Sequence, residues 1–81
     1  MTRYYFDLLD EGDVAVDEDG TDLPNFAAAQ AVAARVLSDI ARDAAREIGS
    51  DRSRLLLAIE VRDDRGPLLQ VKYTFEISRL D

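Results

Sequence analysis

Eighty-one residues with a net charge of -7 and 33% charged side chains describe one small acidic domain spanning residues 1–81, near the lower size limit for independent folding. The chain has no cysteine, which removes disulfides, thiolate nucleophiles and zinc-thiolate sites, and no histidine, which takes away the commonest general base. No window approaches the ~18 apolar residues of a membrane span, and residues 1–7 lack a basic region followed by an apolar run, so a soluble, untargeted, cytoplasmic protein is expected.

The first element is an aromatic-rich strand over residues 3–9. Tyr4, Phe6 and Leu8 alternate with Tyr5, Asp7 and Leu9. Asp10-Glu11-Gly12-Asp13 reads as a turn, and Val14-Ala15-Val16 as the second arm of a hairpin, ended by the acidic loop Asp17-Glu18-Asp19-Gly20-Thr21.

Leu23-Pro24-Asn25 then announces a helix, because Asn25 is a good N-cap and Pro24 keeps the backbone before it extended. The spacing predicts a helix over residues 26–48, stopped by Gly49. Phe26, Ala29, Ala33, Val36, Leu37, Ile40, Ala41, Ala44 and Ile48 recur at steps of three and four. Its many alanines favour helix and permit close approach to a sheet.

Residues 55–62 and 67–77 read as two further strands joined by the turn Asp63-Asp64-Arg65-Gly66. Leu55, Leu57, Ile59 and Val61 share one face, as do Leu69, Val71, Tyr73, Phe75 and Ile77. The expected fold is α+β in the order ββαββ: an antiparallel four-stranded sheet with one long helix packed on one face. A single helix covers a single face, yet Tyr5, Leu9, Leu56 and Ala58 alternate onto the other. They are either scattered surface apolar residues or a pairing surface for a second copy or a partner.

Charge is distributed unevenly. Asp7, Asp10, Glu11, Asp13, Asp17, Glu18, Asp19 and Asp22 face only Arg3 within the first 25 residues, so this segment carries the whole net charge. Such a segment disfavours nucleic acid and anionic membrane, which need clustered Lys and Arg, and attracts a basic partner.

Catalytic chemistry is not legible. Ser38, Ser50, Ser53, Ser78, Thr21 and Thr74 lie outside any nucleophile motif, and Lys72, the only lysine, falls on the polar face of a strand. Asp17 with Asp19 and Asp63 with Asp64 sit in turns, where aspartate is a standard former. Aligning Gly20 with the glycine of a calcium loop puts Ala15 at the first ligand position and Phe26 where the bidentate Glu belongs, so that pattern fails. The four glycines are isolated, and no phosphate-binding loop is present. No enzyme activity, cofactor or metal is expected.

Arg3-Tyr4-Tyr5-Phe6, Asp17-Glu18-Asp19-Gly20 and Leu23-Pro24 before an alanine-rich helix resemble a family of small uncharacterised proteins from rhizobia and other alphaproteobacteria. Those open with M-P-R-Y-Y-F-H-L and continue D-E-E-G-x-E-L-P-D. The resemblance covers essentially the whole chain and implies a bacterial origin and a single domain of unknown function. Thr2 replaces the usual proline and Asp7 the usual histidine, so any role of a histidine there does not carry over. A more distant likeness is to the N-terminal domain of HicB-type antitoxins, whose Gly-Cys after Leu-Pro is replaced here by Asn25-Phe26.

The sequence therefore points to a non-enzymatic protein-interaction module, self-associating as a homodimer or binding another protein through a strand edge or the second sheet face. Tyr5, Asp7, Leu9, Asp17, Glu18, Asp19 and Asp22 are its candidate contact residues. The alternative is an antitoxin-like acidic inhibitor of a basic nuclease or toxin.

Overall fold

A computed structural model describes residues 1–48 and 53–81. Alternation in the aromatic N-terminal segment produces β1 (Thr2–Asp10), which turns through Glu11 and Gly12 into β2 (Asp13–Ala15). Both turn residues have positive φ, 47° and 96°, as in the two-residue hairpin turn whose twist matches that of its strands. β2 runs antiparallel to β1, with Leu8 opposite Ala15, Leu9 opposite Val14 and Asp10 opposite Asp13.

The next strand corrects the expected ββαββ order. Thr21, read from sequence as the end of a loop, begins β3 (Thr21–Leu23), which pairs with the start of β1: Thr2 with Leu23, Arg3 with Asp22 and Tyr4 with Thr21. The sheet thus has five strands rather than four, in the chain order βββαββ. Three residues are too few to display a period of two, so this strand is set by what β1 leaves unpaired.

Asn25 caps the helix α1 (Phe26–Ala45): its backbone is extended and its Oδ1 accepts the Ala28 N–H at 2.9 Å. Ala29, Ala33, Leu37 and Ala41 form the buried stripe, and three alanines in it bring the helix axis close to the sheet. The helix ends three residues before the expected Ile48. There the N–H groups of Arg46, Glu47 and Ile48 bond to Asp43, Ala44 and Ala45, three residues back, a tightened last turn that brings Ile48 against the core. The expected stop at Gly49 lies outside the described residues.

β4 (Arg54–Asp63) and β5 (Gly66–Glu76) form the long hairpin, closed by the expected turn, in which Asp63 Oδ1 accepts the Arg65 N–H at 2.8 Å. β4 also pairs antiparallel with β1, so β4 is central, with β2 and β3 beyond β1 on one side and β5 outermost on the other. Beneath α1, Leu55, Leu57, Ile59 and Val61 of β4 are fully buried, and Tyr4 joins them from β1. Leu69, Val71, Tyr73 and Phe75 pack along the margin of this core as half-buried residues.

One helix covers one face, as the sequence indicates, and the result is an elongated molecule with extents of 52 × 21 × 17 Å. It exposes 5740 Å², against roughly 4,900 Å² for a typical folded chain of its mass. The radius of gyration, 14.5 Å, likewise exceeds the ~12 Å usual for this length.

Candidate functional site

The interval between β2 and β3 centres on Asp17. β2 bonds to β1 at Leu8 and β3 at Tyr4, so the Phe6 N–H, which points to the same edge, has no backbone partner between them. Asp17 Oδ2 accepts it at 3.1 Å, while Asp17 Oδ1 accepts the N–H groups of Asp19 and Gly20, each at 3.1 Å. One carboxylate therefore fills a gap in the ladder and folds its own loop. Burial opposes ionisation of Asp17, but donation from Gly20, Phe6 and Asp19, with the charge of Arg62, outweighs it and holds the carboxyl below its ordinary value.

Gly20 closes this loop with φ +73°. A Cβ there would lie 2.8 Å from Arg3 Cγ and 2.9 Å from Tyr5 Cε2, so both backbone conformation and space call for glycine.

Arg62 joins the loop to the sheet. Its Nε donates to Asp7 Oδ2 at 2.8 Å and its Nη2 to the Asp17 carbonyl at 2.9 Å, and the guanidinium lies 4.5 Å from the centroid of the Tyr5 ring. Asp7 in turn accepts the Asp17 N–H through Oδ1 at 2.9 Å. Hydrogen bonding to Asp7 raises the Arg62 pKa further. Asp7 is only 7% exposed, and Arg62 supplies the opposite charge that makes such burial tolerable.

The seven candidate contact residues therefore separate. Tyr5, Asp7 and Asp17 converge on Arg62, and Asp22 pairs with Arg3 at 3.1 Å on the exposed edge. Glu18 and Asp19 are exposed on the loop, and the Asp19 carbonyl accepts from Arg3. Leu9 lies elsewhere, in a shallow depression of about 200 Å³ on the uncovered sheet face with Leu56, Ala58, Gln70 and Lys72. A second, more polar cleft of about 470 Å³ lies at the other end of the sheet, between Met1–Tyr5 and the β4–β5 turn.

Ser38 donates its hydroxyl back to the Ala34 carbonyl within α1, and Ser50 lies outside the described residues. Among the described residues no three carboxylates gather to hold a metal ion.

Among the described residues, the outer edge of β5 pairs with no further strand. The Ile77 N–H bonds to the Ser53 carbonyl, and antiparallel alternation then turns the N–H and C=O groups of Phe75, Tyr73, Val71 and Leu69 toward β4. Those of Gln70, Lys72, Thr74 and Glu76 point outward, where the described residues add no further strand. Sequence reasoning names a strand edge without placing it on β5, and it misses Arg3 and Arg62. The strand order that exposes β5 depends on pairing between β1 and β4, which no local pattern reports. The available signal for Arg62 was parity: once those strands pair, it shares the face of Tyr5 and Asp7.

Residues 3–74 match the model of a domain of unknown function, DUF6894, so the chain belongs to that family. No curated protein and no solved structure matches it. No helix among the described residues is long and apolar enough to cross a membrane.

Proposed function

We propose that this member of the DUF6894 family is a non-enzymatic protein-interaction module of bacterial origin whose contact surface is the outer edge of β5. The observation that carries the reading is the edge itself: an eleven-residue strand, last in the sheet order, with a row of outward backbone donors and acceptors. Natural sheets usually blunt such an edge with short strands, bulges, charges or a covering element. Here Pro67 and a register irregularity opposite Val61 and Arg62 guard only one end, and Lys72 is the single charge before Glu76. The surface in excess of that usual for the mass supports the same reading.

The acidic segment offers a second, less favoured reading as an antitoxin-like inhibitor of a basic protein. Glu18 and Asp19 are exposed and suit it, but Asp7, Asp17 and Asp22 already serve Arg62, the loop and Arg3. Carboxylates spent on internal partners attract a basic surface less.

The test is the native size of the tagged protein in lysate of its source cells, compared with Thr74→Pro. Proline removes an outward N–H and leaves the β4 ladder intact. Elution well above 9.0 kDa that Thr74→Pro abolishes is the expected outcome; elution of both at monomer size contradicts it.

A further inference from the structure

We infer that the partner of the β5 edge is a second copy of this chain, joined antiparallel across a two-fold axis through Thr74 into one continuous sheet with both helices on the same face. The inference rests on the interaction reading above and names its partner.

Antiparallel pairing of β5 with itself can centre on any of several residues, and side chains choose among them. Centring on Lys72 sets two lysines face to face, which is destabilising. Centring on Val71 or Tyr73 puts Lys72 opposite Gln70 or Thr74, with no opposite charge. Centring on Thr74 sets Lys72 opposite Glu76 of the partner subunit, and by symmetry Glu76 opposite Lys72 of the partner subunit. Opposite charges directly across a ladder stabilise it. Both side chains are exposed and stand on the uncovered face.

The other face agrees with this register. It brings Tyr73 opposite Phe75 of the partner subunit and Val71 opposite Ile77 of the partner subunit. Tyr73, Phe75 and Val71 are half-buried along the core margin, and Ile77 is 47% exposed. A second strand covers this row, adding aromatic and β-branched cross-strand pairs. Thr74 meets its own copy at the axis, an arrangement in which the hydroxyls bond across the strands.

Backbone groups fit as well. Of the outward donors and acceptors, those of Lys72, Thr74 and Glu76 belong to the residues this register places opposite Glu76, Thr74 and Lys72 of the partner subunit. Isologous pairing of one patch with itself also closes at two copies, so the edge is consumed rather than propagated into a fibre.

The test is native mass by light scattering on purified full-length chain across a concentration series, for wild type, Lys72→Glu, Glu76→Lys, the double exchange and Thr74→Pro. Wild type is expected to rise from 9.0 kDa toward twice that value. Each single charge reversal should weaken the dimer about tenfold or more, since two attractive pairs become repulsive. The double exchange should recover most of the loss. The Arg54 guanidinium, 3.9 Å from Glu76, is exposed and subtracts little from that recovery. Thr74→Pro should be monomeric with unchanged far-ultraviolet circular dichroism.

A dimer indifferent to Lys72→Glu and Thr74→Pro overturns the inference, because it uses another surface. So does a wild type monomeric at every concentration. In that case the lysate experiment separates the two claims: an assembly still lost with Thr74→Pro leaves the edge as a surface for a different protein, and no assembly removes both.

Discussion

Arg62 Nε lies 2.8 Å from Asp7 Oδ2, closing a contact between the first strand and the fourth across 55 positions of sequence. The same guanidinium holds the Asp17 carbonyl and covers Tyr5, so one side chain ties the acidic loop to the centre of the sheet. Acidic residues that look solvent-facing in the sequence become, at Asp7 and Asp17, part of the scaffold.

Removing Asp7 should therefore cost stability. Asp7→Ala deletes charge-assisted bonds to Arg62 and leaves the Asp17 N–H without its acceptor, an expected loss of about 2 kcal/mol in urea unfolding. Arg62→Ala should also destabilise, and the double variant should lose less than the sum of the singles.

The lowered Asp17 pKa makes stability depend on pH in one direction. The folded protein favours the ionised carboxyl, so this stabilisation is present in full above the unfolded value of 3.8 and is lost as pH falls through the lower folded value. Thermal unfolding of wild type and Asp17→Asn between pH 2 and 6 should show wild type more stable at the upper end, with the gap closing below about pH 4.

Gly20→Ala combines a left-handed backbone with contacts under 3 Å to Arg3 and Tyr5. An expected cost of about 2 kcal/mol follows, measured by chemical unfolding. Gly12→Ala provides the contrast, since φ +96° is strained there but nothing stands within 4 Å.

Asn25→Ala removes the cap that accepts the Ala28 N–H, and should lower stability by about 1 kcal/mol with a matching fall in the unfolding midpoint.

How far these features were legible follows from their range along the chain. Asn25, the alternation from Leu55 to Val61 and the Asp63 turn are local, and each is realised where its residues indicate. β3 was missed because three residues carry no periodicity, and the helix end because Ala44 to Ile48 continue a helical spacing through a tightened turn. The candidate site was the least legible part. Tyr5, Asp7 and Asp17 were singled out as surface groups, whereas their common partner, Arg62, is brought to them only by pairing between β1 and β4.

The self-pairing of β5 is tested most directly by amide exchange of the purified chain, residue by residue, at rising protein concentration. Engagement of the edge predicts that the outward amides of Lys72, Thr74 and Glu76 slow with concentration toward the protection of Val71 and Tyr73, whose amides face β4. Fast exchange of those three amides at every concentration, with Val71 and Tyr73 protected throughout, would contradict it.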